Sequence, residues 1–233
     1  MKSRINKNNF KTISQMSKIF KLLTLLALFI SFSSCSNDDE NSPEPQNIET
    51  NTIANLFAPQ QGGIDPNTGQ PLPVSGEFAK FDFSTGTVTT SETDWDIAFR
   101  GSTIIVNGGE SFGATDEPVR TGDAAAYISS GTMTDIQVAD TTLFLQDSSE
   151  GYAIVTGSGN GWYTYNPANN TIAPTPGKIL VFKTRDGKYA KVEILSYYKD
   201  APTEITPEIA ANDSRYYTFN YVYQPNEGEL NFN

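Results

Sequence analysis

The sequence predicts an all-β protein, and three observations support this. Aromatic residues make up 12% of the chain, which also contains 18 glycines and 13 prolines, and such a composition favours strands joined by turns. From about residue 52 onward, short apolar runs alternate with turn sequences, as is typical of antiparallel sheets. No apolar stripe with a helical period follows Cys35. We therefore expect one antiparallel β domain with long loops over residues 52–233.

The individual strands are predicted from alternation and from flanking turns. In residues 94–100, Trp95, Ile97 and Phe99 alternate with positions that include Asp94, Asp96 and Arg100, which predicts one buried and one solvent-facing side. Asp94 and Asp96 would then both lie on the solvent-facing side. A cation site or an acid and base pair at these two carboxylates is the less favoured interpretation. The strands predicted before residue 179 are residues 81–83, 95–99, 104–106, 152–156 and 162–165.

A β-hairpin is the clearest prediction. Residues 179–183 and 189–197 are rich in strand-forming residues, and the Asp186-Gly187 turn lies between them. On the second strand, alternation places Lys191 and Glu193 opposite the apolar face. Residues 199–214 are predicted as a long loop, and the aromatic-rich residues 215–224 as the last strand.

The amino-terminal segment has the pattern of a lipoprotein signal peptide over residues 1–34. Its basic residues precede an apolar run of about 11 residues at 22–32, which is too short to span a bilayer. Ser33 and Ser34 are the small residues before Cys35, the one cysteine of the chain. We predict lipidation of Cys35. The alternative for Cys35 is an ordinary thiol near a conventional cleavage site. Separately, translation could start at Met16 instead of Met1.

Residues 35–51 are predicted to be the lipidated cysteine and a disordered acidic tether, because they contain almost nothing apolar to bury. The acidic run at residues 36–40 resembles the export tag of surface-displayed lipoproteins of Bacteroidota. A solvated linker without such a role explains the same residues.

Charge and residue types exclude several classes of function. Removal of six basic residues with the signal leaves 10 of the 16 Lys and Arg against 27 Asp and Glu, so nucleic-acid binding is not expected. The chain has no histidine, which is the usual general base of nucleophilic triads. We therefore predict no enzymatic activity and no metal site. A calcium-like pattern beginning at Asp65 lacks the later bidentate glutamate and predicts a turn.

Five segments, taken in order, resemble the HmuY family of haem-binding surface lipoproteins from Bacteroidota. They are FDFSTGTV at residues 81–88, WDIAFRG at 95–101, VNGGESFG at 106–113, DGKYAKVEILSYY at 186–198 and YYTFNYVYQ at 216–224. The resemblance covers nearly the whole chain after the signal.

The resemblance implies a HmuY-like all-β fold and a lipid anchor at the surface of the outer membrane. It also implies binding of haem or a related porphyrin for uptake, beside a TonB-dependent receptor. The alternative is a relative that kept the fold and the anchor but lost the haem ligands, and now binds another ligand or serves as an accessory subunit.

Family members hold the haem iron with two axial side chains on loops, paired histidines or paired methionines. Here no histidine is present and Met133 is the one methionine after the signal. Met133 is therefore a candidate ligand, and Tyr163 or Tyr165, near the family's second loop, would supply the other if the site has two. In the alternative interpretation, Met133 fills a gap in the core and both tyrosines pack beside Trp162.

Overall fold

The computed structural model describes residues 44–65 and 67–233. Cys35 and the predicted signal peptide lie outside the described residues. Within them, thirteen strands and one short helix, α1 (Pro207–Asn212), are formed. The strands are β1 (Glu49–Phe57), β2 (Gln61–Ile64), β3 (Pro71–Ser75), β4 (Ala79–Asp82), β5 (Thr87–Thr89), β6 (Ile97–Arg100), β7 (Thr103–Val106), β8 (Ala125–Ser130), β9 (Tyr163–Asn166), β10 (Thr171–Pro174), β11 (Lys178–Lys183), β12 (Tyr189–Tyr198) and β13 (Ser214–Gln224).

Two sheets face each other and form a sandwich. The larger has five strands in the order β1-β13-β12-β11-β8, and the smaller has four in the order β5-β4-β6-β7. All paired strands in both are antiparallel. Two additional hairpins, β2-β3 and β9-β10, form separate two-stranded sheets. The all-β prediction is confirmed.

The predicted hairpin at residues 179–197 is formed by β11 and β12, with Leu180 opposite Val192. Gly187 has a φ of 85°, the left-handed conformation that glycine adopts without strain. The hydroxyl of Thr184 donates to the Asp186 carboxylate at 2.6 Å. The turn is therefore fixed by its own residues, which explains why local sequence predicted it.

Alternate residues of the large sheet point into two different apolar layers. The inner core lies between the sheets, where the Phe81 ring meets that of Phe219 edge to face at 5.6 Å. The second layer lies on the opposite, outer face, and we call it the outer cluster. Its buried residues are Tyr127, Ala139, Ile179, Val181, Tyr189, Val222 and Phe232.

Residues 131–147 cover the outer cluster without forming a strand. Phe144 packs on the rings of Tyr127 and Tyr189, at 5.0 and 5.8 Å between centroids. Leu145 forms an isolated antiparallel β-bridge with Ala126 at the edge of the sheet, in which each backbone N–H donates to the carbonyl of the other residue. This segment and the chain near Phe232 together bury the side of the sheet that alternation alone assigns to solvent.

Strands β2, β3, β5, β8 and β10 were not predicted, and three of the segments assigned from sequence have a different structure. Residues 152–156 do not form a strand, because Ala153 N–H donates to the Asp147 carboxylate at 2.9 Å and not to a neighbouring strand. β1 begins at Glu49, inside the segment predicted as a tether; its first four residues are exposed, which explains their polar composition. The predicted loop at 199–214 contains α1, whose first turn is capped by the Thr206 hydroxyl.

The described residues contain no helix that is both long and apolar enough to cross a bilayer.

Candidate functional site

A cleft of about 800 Å³ opens on the outer face of the large sheet. Strands β1, β12 and β13 form its floor, and residues 131–147 and the carboxyl-terminal segment form its walls. We call it the Met133 cleft. Its lining residues are Thr50, Asn51, Thr52, Met133, Thr134, Gln137, Lys191, Glu193, Asn220, Val222, Phe232 and Asn233. Its size is within the range of small-molecule sites, about 300 to 1,000 Å³.

A tight turn holds Met133 at the edge of this cleft. The Asp135 carboxylate accepts hydrogen bonds from the backbone N–H of Thr132 at 2.8 Å and from its hydroxyl at 2.7 Å. These bonds favour the ionised form and lower the pKa of Asp135. Met133 lies within the turn, is half-buried, and packs against the outer cluster. It is thus both a packing residue and a wall of the cleft.

Lys191 lies under the same turn and is only 3% exposed. Its ammonium donates to the backbone carbonyls of Met133 at 2.6 Å and Ile136 at 2.8 Å. It also lies 5.1 Å from the centroid of the Phe232 ring. Burial lowers the pKa of Lys191. The lysine therefore ties the Met133 turn to β12 while keeping a cation inside the protein.

The two candidate tyrosines lie elsewhere. Tyr163 packs against the inner core, on the side of the large sheet opposite Met133. Its ring is 5.0 Å from that of Trp162, and its hydroxyl accepts from Ser102 at 3.4 Å. Tyr165 is 40% exposed and donates to Asn170 at 2.6 Å. Neither Tyr163 nor Tyr165 lines the Met133 cleft, so the structure does not bring Met133 and either candidate tyrosine to one site.

A second cleft, of about 570 Å³, lies beside β4 and β5. Phe57, Phe78 and Val88 form part of its apolar wall. Its ionisable lining residues are Lys80, Glu77, Glu92, Asp116 and Glu117. The Lys80 ammonium is already 2.8 Å from a Glu92 carboxylate oxygen. This excess of carboxylates disfavours an anionic ligand.

Asp94 and Asp96 do not both face solvent, contrary to the sequence prediction. Asp94 is exposed, whereas Asp96 is 1% exposed. Asp96 accepts from the backbone N–H of Phe83 at 2.9 Å, and the Arg185 guanidinium bridges it to Asp82 at 3.1 Å on each side. Burial raises the pKa of Asp96 to about 6. The error arose because the Arg185 turn covers this position from a distant part of the chain.

A second buried ion network fixes the end of the segment that covers the outer face. Arg120 contacts the carboxylates of Glu117 and Asp147, each at 2.9 Å, and all three side chains are at most 3% exposed. Asp147 also accepts from the backbone N–H groups of Val106 at 3.0 Å and Ala153 at 2.9 Å. We assign this network a structural role, since all the carboxylate oxygens involved are engaged.

The family model described as HmuY protein matches residues 76–221, which is more than half of the chain. The chain belongs to the HmuY family. In this HmuY-family protein the matched region begins just before β4 and ends within β13. It contains both Met133 and Lys191. The family prediction made from the five sequence segments is confirmed.

Several solved structures resemble this HmuY-family protein. The apo HmuY analog of Tannerella forsythia is 14% identical, with a TM-score of 0.43, and the match covers 78% of this chain and 100% of that chain. A Bacteroides vulgatus protein described as HmuY-like and heme binding is 14% identical over 78% of this chain and 97% of its own, with a TM-score of 0.42. A Bacteroides fragilis protein described as a lipoprotein is 15% identical over 77% and 90%, with a TM-score of 0.39. A comparison with curated proteins gave no significant match.

Sequence reasoning missed two contributors to the Met133 cleft. Lys191 alternates with apolar neighbours and was predicted only to lie opposite the apolar face of its strand, and Phe232 lies beyond the last predicted strand. The signal for Lys191 was only its position on a central strand, since the chain that buries it comes from residues 131–139.

Proposed function

We propose that this chain is a surface-anchored lipoprotein that binds haem or a related porphyrin in the Met133 cleft. The observation that carries the proposal is the combination of groups around this cleft. A thioether, an aromatic ring and a buried cation line one cavity in a member of the HmuY family. A tetrapyrrole presents the complementary chemistry: a metal, an apolar plane and carboxylates.

Met133 is the residue that would hold haem iron in this cleft. Iron accepts methionine as an axial ligand, and among the described residues that line the cleft no other has a His, Cys, Met or Tyr side chain. The residues present therefore fit haem with one protein ligand. Val222 and Phe232 offer apolar contact for the macrocycle.

The location belongs to the same proposal. Lipid on Cys35 would anchor the chain to the outer membrane, with the acidic residues that follow as a spacer. Capture of haem or porphyrin and its transfer to a TonB-dependent receptor would then require no enzymatic activity. The family is one of binding proteins, which is consistent with this role.

A haem titration tests the proposal. The untagged chain from residue 36 onward, which includes every described residue, is titrated with haem, and Soret absorbance is followed in both iron oxidation states. We expect saturable binding at micromolar haem. Met133→Leu keeps a similar apolar volume and removes the sulfur, so it should change the ferrous spectrum. Tyr163→Phe is the matched control and should leave the spectrum unchanged.

The outcomes separate two functions. A chain that has lost haem ligation and binds another ligand is favoured by the absence of histidine and by the position of both tyrosines outside the cleft. No saturable change in the Soret band would reject haem binding and leave this second function. An unchanged spectrum in Met133→Leu would remove Met133 from the iron site.

A further inference from the structure

Lys191 is a buried cation without a carboxylate partner among the residues that the structure describes. An ammonium has three N–H donors, and the carbonyls of Met133 and Ile136 take two. Carbonyl dipoles satisfy hydrogen bonds but do not neutralise a charge. A buried charge is costly unless it is paired, so an anion beside Lys191 would be stabilised.

The surroundings of Lys191 favour an anion from the ligand over one from the chain. Among the described residues that line the Met133 cleft, Lys191 is the one with a cationic side chain. Glu193 is the one acidic side chain in the part of this lining that the structure describes. It lies two residues further along the same face of β12 and forms no ion pair with Lys191. Asn51, Gln137 and Asn220 add neutral amides.

The charge of the whole chain makes this cation important. The formal net charge is −11, so an anionic ligand is repelled at long range. The second cleft adds carboxylates to that repulsion, whereas the Met133 cleft places Lys191 at its floor. Discrimination between the two clefts by an anionic ligand would thus depend on this single side chain.

We infer that Lys191 recognises a carboxylate of the ligand, so that the Met133 cleft selects tetrapyrroles with free acid side chains over their esters. This inference rests on the proposed function and adds the chemical feature by which the ligand is chosen. Lys191 acts by contact with the carboxylate, and separately it holds the Met133 turn.

Four probes test it: haem, haem dimethyl ester, protoporphyrin IX and protoporphyrin IX dimethyl ester, in one detergent-containing buffer. Absorbance reports haem binding, and fluorescence reports binding of the iron-free compounds. The unaltered chain should prefer each free acid over its ester by about tenfold or more, the effect of one hydrogen bond to a charged group. Esterification removes the negative charge of both carboxylates and adds one methyl group to each.

Variants of the lysine give the decisive comparison. Lys191→Met keeps an unbranched apolar stem and removes the charge, so the preference should fall to about one while ester affinity is retained. Lys191→Arg keeps the charge and should keep a preference. Glu193→Gln is the matched control on the same face and should preserve or increase it. Hydrogen exchange of residues 131–139 establishes whether each variant retains the turn.

The results distinguish failure of the inference from failure of the proposed function. Binding of acids and esters with equal affinity by the unaltered chain, or an undiminished preference in Lys191→Met, overturns the role of Lys191 while porphyrin binding stands. Preference for the iron-free acid without a change in haem spectrum for Met133→Leu supports Lys191 and rejects Met133 as an iron ligand. No binding of any probe overturns both proposals.

Discussion

Replacing Asp147 with alanine should destabilise the protein by about 3 to 5 kcal/mol. The Asp147 side chain is 0% exposed and contacts the Arg120 guanidinium at 2.9 Å. Its two oxygens also accept from Val106 N–H at 3.0 Å and Ala153 N–H at 2.9 Å. Alanine leaves both N–H groups buried without an acceptor, at about 1 to 3 kcal/mol each, and removes one partner of an ion pair.

Asp123 provides the matched control for this substitution. Its carboxylate pairs with Lys183, but its side chain is 67% exposed. An exposed ion pair contributes about 0 to 1 kcal/mol, so Asp123→Ala should cost no more than that. The two variants delete the same atoms and differ in burial and hydrogen bonding.

Urea denaturation followed by tryptophan fluorescence measures both effects. The midpoint should fall strongly in Asp147→Ala at a similar m-value and barely move in Asp123→Ala. A loss of about 5 kcal/mol approaches the whole stability of a small domain, so Asp147→Asn, which keeps one acceptor oxygen, supplies an intermediate. Equal midpoints for the two alanine variants would refute the reasoning.

Three further predictions concern a tight contact, a buried acid and the anchor. A Cβ on Gly108 would lie 1.9 Å from the Ala124 carbonyl oxygen, whereas one on Gly151 meets nothing within 4 Å; thermal melting should show Gly108→Ala destabilised by about 1 to 3 kcal/mol or more and Gly151→Ala nearly unchanged. The pKa of Asp96 is raised to about 6. Between about pH 4 and pH 6, the folded protein therefore keeps a proton on Asp96 that the unfolded chain has released. Its contribution to the free energy of unfolding is therefore largest below about pH 4 and falls as the pH rises through 6; comparison with Asp96→Asn should isolate this slope, and a pH-independent difference would contradict it. In cells grown with labelled palmitate, Cys35→Ser should abolish labelling of the full-length protein, and persistent labelling of the protein would reject lipidation at this residue.

The fold could be predicted where local sequence determines it. The turn at Asp186 and Gly187 is fixed by the hydrogen bond between Thr184 and Asp186 and by the positive φ of Gly187, and residues 215–224 alternate regularly. Both elements were therefore predicted within a residue or so. Residues 152–156 failed because their hydrogen bonds go to the Asp147 side chain. No periodicity in the sequence can show that a strand-like run has such a partner.

The candidate site was harder to predict, because segments distant in sequence assemble it. Met133 was identified by residue type, but its distance from the tyrosines depends on which face of the large sheet each loop covers. Alternation correctly placed Lys191 and Glu193 on a common face, opposite the apolar face of the strand, but it does not show that other segments cover that face. Only the position of residues 131–147 and of Phe232 turns this face into a cleft.

The segment that carries Met133 is held by charged groups at both ends, in addition to the isolated β-bridge between Leu145 and Ala126. Lys191 binds the carbonyls of its first turn, and Asp147 fixes its last residues through Val106 and Ala153. Between them, Phe144 and Ala139 pack on the sheet. A wall fixed in this way is already ordered before a ligand arrives, which reduces the entropic cost of binding. Because Lys191 takes part in both the support of this wall and the recognition of an anion, binding of a carboxylate beside it should also stabilise the Met133 turn, and hydrogen exchange at residues 131–139 should slow when a free-acid porphyrin is added and not when its diester is added.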